Sequence, residues 1–131
     1  MTNSLTNVDA ITMFIEDVQR SKSFYEQVFD VQAVYEDENA VAFHFENTVV
    51  NLLKTGAAPE LIEPATVGKR EAGSRFQLTI GVDDVDAACS ELAAKGVELL
   101  NGPMNRPWGV RTASFTDPDG HIWEVAARLP E

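Results

Sequence analysis

Ile15-Glu16-Asp17-Val18 and Val82-Asp83-Asp84-Val85 are two versions of one phrase, set 67 residues apart from Asp17 to Asp84. Each closes a stretch that alternates like a strand and opens one that repeats like a helix. Before the first, Ile11, Met13 and Ile15 share one face while Ala10, Thr12 and Phe14 share the other, so residues 10–16 read as a strand buried on both sides. After it, Val18, Phe24, Tyr25 and Val28 fall on one helical stripe that ends near Phe29, and Asp17 is placed to cap its first turn. The second phrase does the same. Residues 76–82 are strand-like, and Asp84 precedes a helix with Val85, Ala88, Cys89 and Leu92 on its apolar stripe, stopped by Gly96.

Working outward, extended stretches follow each helix. They are expected near 33–35, at 41–45 and at 49–53, the last two separated by the turn residues Glu46, Asn47 and Thr48. In the second half they are expected at 97–100, 110–115 and 121–127, with Asp117-Pro118-Asp119-Gly120 supplying strong turn chemistry. The order strand, helix, three strands therefore occurs twice, an internal repeat with modules at 8–53 and 75–128. Residues 54–74, with Gly56, Pro59, Pro64, Gly68 and Gly73, are too long for an ordinary connection. They read either as a flap over a cleft or an arm across a dimer partner, or as a linker with a short helix near 59–63.

Composition narrows the function classes. A chain of 131 residues that is 44% hydrophobic can bury about two-thirds of its unfolded surface, which is enough for one domain without cross-links. The lone Cys89 cannot bridge its own chain and, on the apolar stripe, reads as a small core residue. Ten basic against 21 acidic residues give a net charge of −11, which repels phosphate backbones and anionic lipid. Nucleic-acid and membrane partners are not expected. Residues 1–8 lack the basic start and apolar run of a secretory leader, so a cytoplasmic location is expected. No phosphate-cradling loop is present either, since Gly102-Pro103 and Trp108-Gly109 lack a following Gly-Lys-Ser/Thr.

The two phrases, Phe24-Tyr25, and Pro107-Trp108-Gly109 leading into Asp117-Pro118-Asp119-Gly120-His121-Ile122-Trp123-Glu124 resemble the vicinal oxygen chelate superfamily. That group contains glyoxalase I, bleomycin-resistance proteins and extradiol dioxygenases, and the likeness spans nearly all of residues 1–131. It implies an α+β fold of two paired βαβββ modules, a curved mixed sheet around a cleft, in a homodimer whose modules combine within or between chains. It also implies a divalent metal held by the first and last strands of each module.

Placed on this chain, those metal positions fall on Ala10, Asn51, Gln77 and Glu124. Ala10 has no donor atom, and Asn51 and Gln77 offer only neutral amides, so the set is degenerate for a catalytic zinc that normally takes three protein ligands. His121 lies three residues from Glu124, which puts it on the opposite strand face, and His44 sits between Phe43 and Phe45. A two-histidine, one-carboxylate iron site is therefore not expected. No cofactor is favoured, although a divalent metal stays compatible with the resemblance.

Glu124 is costly to bury without a partner, and Arg111 or Gln77 are its candidate partners. The remaining residues suit a small organic ligand: Thr12, Phe14, Asn51, Gln77, Thr79 and Glu124 on strands, and Trp108 in a loop as a surface for stacking. Arg106 and Arg111 can position an anionic group. The leading reading is a glyoxalase/bleomycin-resistance-like protein that binds a small organic molecule in the cleft between modules without a tightly held metal. The alternative is a metal-dependent lyase, isomerase or epimerase of glyoxalase type, in which Glu124 is ligand or base. Whether the chain is an enzyme stays open at this point.

Overall fold

The computed structural model describes residues 5–131. The first residues of the 1–8 stretch, read above for a leader, lie outside them. The chain divides into two compact units, Met1–Gly68 and Lys69–Glu131. The first holds β1 (Ala10–Ile15), α1 (Val18–Val28), β2 (Gln32–Glu36), β3 (Ala40–His44), β4 (Val49–Lys54) and the short α2 (Pro59–Ile62). The second holds β5 (Gln77–Gly81), α3 (Val85–Ala94), β6 (Leu99–Asn105), β7 (Val110–Thr116) and β8 (Ile122–Arg128). Each unit is a βαβββ module with its own four-stranded mixed sheet, ordered β1-β4-β3-β2 and β5-β8-β7-β6.

The repeated phrase works the same way in both modules. Asp17 and Asp84 sit in extended conformation, and their carboxylates accept from Arg20 N and Ala87 N, each at 3.0 Å. Each cap satisfies an amide that the first helical turn leaves unpaired and turns the chain from strand to helix. The helix then crosses the sheet and lets the last strand lie parallel to the first: β4 beside β1, β8 beside β5.

In the first unit Met13, Ile15, Val41, Phe43, Val50 and Leu52 are buried on the face beneath α1, where Tyr25 stacks on Phe43 with centroids 5.7 Å apart. The other face is not buried throughout, contrary to the expectation from alternation alone. Ala10 and Thr12 are exposed, while Phe14, Leu53 and Ala40 are covered by Ala58, Ile62 and Val67. Part of the 54–74 stretch thus forms a small apolar cap at one end of that face. Its helix occupies Pro59–Ile62, close to the 59–63 expected.

In the second unit Phe115 and Trp123 are register partners and fully or nearly buried on the face toward α3, along with Ala113 and Val125. Asp117, also buried, organises the β7–β8 turn by accepting from Asp119 N at 3.0 Å and His121 N at 2.9 Å. The main departure from the sequence reading is β6. It was expected to stop near residue 100 but runs to Asn105 straight through Gly102 and Pro103. An edge strand with register irregularities at Asn101 tolerates a residue that has no N–H to donate. Gly102 is required for a further reason: at φ +86 a Cβ would stand 2.5 Å from the Thr112 carbonyl oxygen.

Two stability predictions arise here. Asp17→Ala and Asp84→Ala each lower unfolding free energy by about 1 kcal/mol in urea melts, and loss at only one site would mean that the two caps are not equivalent. Gly102→Ala costs more, roughly 2–4 kcal/mol, because both the dihedral and the contact with backbone oppose a side chain. A neutral result would show that β6 shifts freely away from β7.

Candidate functional site

Parallel pairing of the first and last strand fixes which polar side chains meet in each module. In the first, Thr12 lies opposite Asn51, whose Nδ2 donates to Thr12 Oγ1 at 3.4 Å. In the second, Thr79 lies opposite Glu124, and Thr79 Oγ1 donates to Glu124 Oε1 at 2.9 Å. The two pairs occupy matching places in their own sheets, on the face away from the helix. The partner of Glu124 is therefore Thr79, not Gln77 or Arg111.

Gln77 is on the same face but opposite Ile122, one step along the strand pair, about 6.6 Å from the Glu124 level at the usual strand rise. Arg111 is on the other face. Its guanidinium grips the Asp86 carboxylate of α3 with two bonds of 2.9 Å and reaches Asn105 Oδ1 at 2.9 Å. The Arg111 hydrogen bond is the main reason the Asp86 carboxyl is held below the ordinary aspartate range. Trp108 stands 70% exposed between β6 and β7, and Phe14 is half-buried against the apolar cap of its own module.

Some members of the Glu124 face were not picked out from sequence. Ser114 lies directly opposite Glu124, with Thr112 two residues away on the same strand, and both are buried. The signal was there: Thr112, Ser114 and Thr116 alternate with apolar Ala113 and Phe115, which is the pattern of a strand with one polar face.

The donor set does not fit a metal. Ala10 has no ligating atom, Asn51 and Gln77 offer only neutral amide oxygens, and Glu124 is the one carboxylate among the four positions the resemblance singled out. No group of three or more His, Cys, Asp or Glu side chains is arranged for an ion among the described residues. His121 is committed elsewhere, with Nδ1 2.8 Å from the buried Asp117 Oδ2, and His44 is exposed at the end of β3. Cys89 is half-buried on α3, and desolvation pushes its thiol up, away from a nucleophile's needs.

A hollow of about 620 Å³ lies elsewhere in the first unit, between Lys22 and Glu26 of α1 and Tyr35 and Glu36 of β2. Two of its charges pair with each other: Lys22 Nζ is 2.7 Å from Glu36 Oε1, and Gln19 Nε2 also donates to Glu36 at 2.9 Å. It shares no residue with the Thr12 and Asn51 pair.

Comparison with known proteins gives a consistent picture. A profile of the Glyoxalase/Bleomycin resistance protein/Dioxygenase superfamily matches residues 7–125. The "Uncharacterized protein YraH" of Bacillus subtilis is 30% identical over 123 residues, 91% of this chain and 96% of that protein. A "Probable lactoylglutathione lyase" of Vibrio cholerae is 29% identical over 117 residues, covering 85% and 83%. The crystal structure of a glyoxalase/bleomycin resistance protein/dioxygenase from Nocardioides superposes with a TM-score of 0.86 over 98% of this chain and 87% of that one, at 21% identity.

The Asp86–Arg111 pair yields a pH prediction. A carboxylate whose native pKa is depressed contributes stability above its unfolded pKa and loses it as pH falls through the lower native value. The difference in melting temperature between wild type and Arg111→Met should be greatest near neutrality and shrink as pH falls below the ordinary carboxylate range. A gap that stays constant down to acid pH would show that Arg111 acts through packing alone.

Proposed function

The chain belongs to the glyoxalase/bleomycin resistance protein/dioxygenase superfamily, and from that premise we propose that it binds a small organic molecule without a tightly held divalent metal. The site is the open sheet face that carries Gln77, Thr79 and Glu124, with Ile122 as apolar floor. Its counterpart in the first module is the face of Thr12 and Asn51. One observation carries the reading. Glu124 is half-buried on that face, one of its oxygens accepts from Thr79, and no second carboxylate, imidazole or thiolate stands with it to complete a metal shell among the described residues. A lone carboxyl beside hydroxyls and an apolar residue suits hydrogen bonding to an organic ligand better than gripping an ion. Trp108, being exposed, is available to stack on a planar group.

The same reading has the protein acting as a homodimer in the cytoplasm, in keeping with the family resemblance and the single cysteine. A second reading is favoured by the name of the Vibrio cholerae relative: a metal-dependent lyase of glyoxalase type, with Glu124 as ligand or base. The two separate cleanly. Elemental analysis of purified protein should find no stoichiometric zinc, nickel, manganese or iron, and a chelator should leave the melting temperature unchanged. Small aromatic and polar organic compounds should raise it, and Glu124→Gln should reduce that rise. One equivalent of metal, with a chelator-sensitive melt, would replace this reading with the enzymatic one.

A further inference from the structure

We propose that Arg106 is the anion-binding residue of the Glu124 face, and that the molecule bound there is a small organic acid that also carries a hydroxyl or amine. This rests on the small-molecule reading above and gives it a substrate class. Arg106 follows β6 and reaches back over the polar face of β7. Its Nε donates to Thr112 Oγ1 at 2.9 Å and its Nη2 to Asn101 Oδ1 at 3.3 Å. Thr112 is on the same face as Ser114, the direct neighbour of Glu124. The guanidinium and the Glu124 carboxyl therefore belong to one surface of one sheet.

What sets Arg106 apart is its choice of partners. In a chain with about twice as many acids as bases, the guanidinium of this half-buried arginine is fixed by a hydroxyl and an amide oxygen, and it has no carboxylate within ion-pair distance among the described residues. Arg111, a few residues on, shows the contrast, with its fork filled by Asp86. Thr112 and Asn101 take the side edge of Arg106, formed by Nε and Nη2. The terminal edge, formed by Nη1 and the second N–H of Nη2, stays unclaimed and has the parallel geometry that a carboxylate fits with two bonds. A partly desolvated cation without an anion is underpaired, and an acidic ligand completes it. On the same face Glu124 has one oxygen occupied by Thr79 and the other left to accept from a ligand hydroxyl or amine. Acid at one end and donor at the other is the chemistry that these two side chains select.

The test uses the full chain and a panel of hydroxy acids of increasing length, each paired with its neutral primary amide, titrated by calorimetry and thermal shift. Wild type should bind at least one acid about tenfold more tightly than its amide, the effect of one charged hydrogen-bonded contact. Arg106→Gln should lose that preference, and Arg106→Lys, which keeps charge but not the fork, should retain only part of it. Arg20→Gln, a charge-matched change on α1 in the other unit, should keep it whole. Melting curves of each variant establish that it is folded, and Arg106→Lys carries the test if Arg106→Gln is not. Equal binding of acids and amides by wild type, or an acid preference that survives both Arg106 substitutions, overturns the assignment. If neutral compounds bind without acid preference, only this inference falls. If neither class binds, this inference falls, and the small-molecule reading falls with it only where the aromatic and polar compounds named above also leave the melting temperature unchanged.

Discussion

Everything in this molecule depends on the parallel contact between the first and last strand of each module. Once β4 is beside β1 and β8 beside β5, the two-residue period of a strand decides which side chains meet and which face water. The Asp17 and Asp84 caps make that contact reachable, because they end the strand and launch the helix that carries the chain across the sheet. A shift of one residue in the β5–β8 register would send Glu124 toward α3 and bring Trp123 out. The burial of Trp123 and Phe115 opposes that shift, so the apolar side of the sheet holds the polar side in place.

Most of the architecture was legible in the chain because local chemistry announces it. The repeated Ile-Glu-Asp-Val and Val-Asp-Asp-Val phrases mark a strand end, a cap and a helix start with residues whose preferences all agree. The sequence places this strand, β6, at 97–100, and the structure carries it on through Gly102 and Pro103, residues that break strands in isolation. Their tolerance comes from position at the sheet edge, and edge status is a long-range fact that no window of residues contains.

The site was legible in part. Glu124 and Thr79 were both singled out, but not as a pair, since the pairing depends on a register between strands 45 residues apart in the chain. Arg111 illustrates the opposite failure. Its charge suggested a partner for Glu124, yet the antiparallel register of β7 and β8 sets Ser114 opposite Glu124 and leaves Arg111 on the other side, against Asp86. Arg106, without a regular strand position to argue from, looked no better than Arg111 in the sequence. Only its neutral partners distinguish the two.

The irregular course of β6 has a consequence beyond its own module. An outermost strand normally offers a row of unsatisfied amides that a stranger's backbone can copy, which is how orderly sheets grow into fibres. Here Pro103 has no amide to offer, and the register breaks on either side of Asn101 interrupt the regular repeat of the strand. A recruit arriving at this border would meet an irregular template, which disfavours growth by strand addition along that flank.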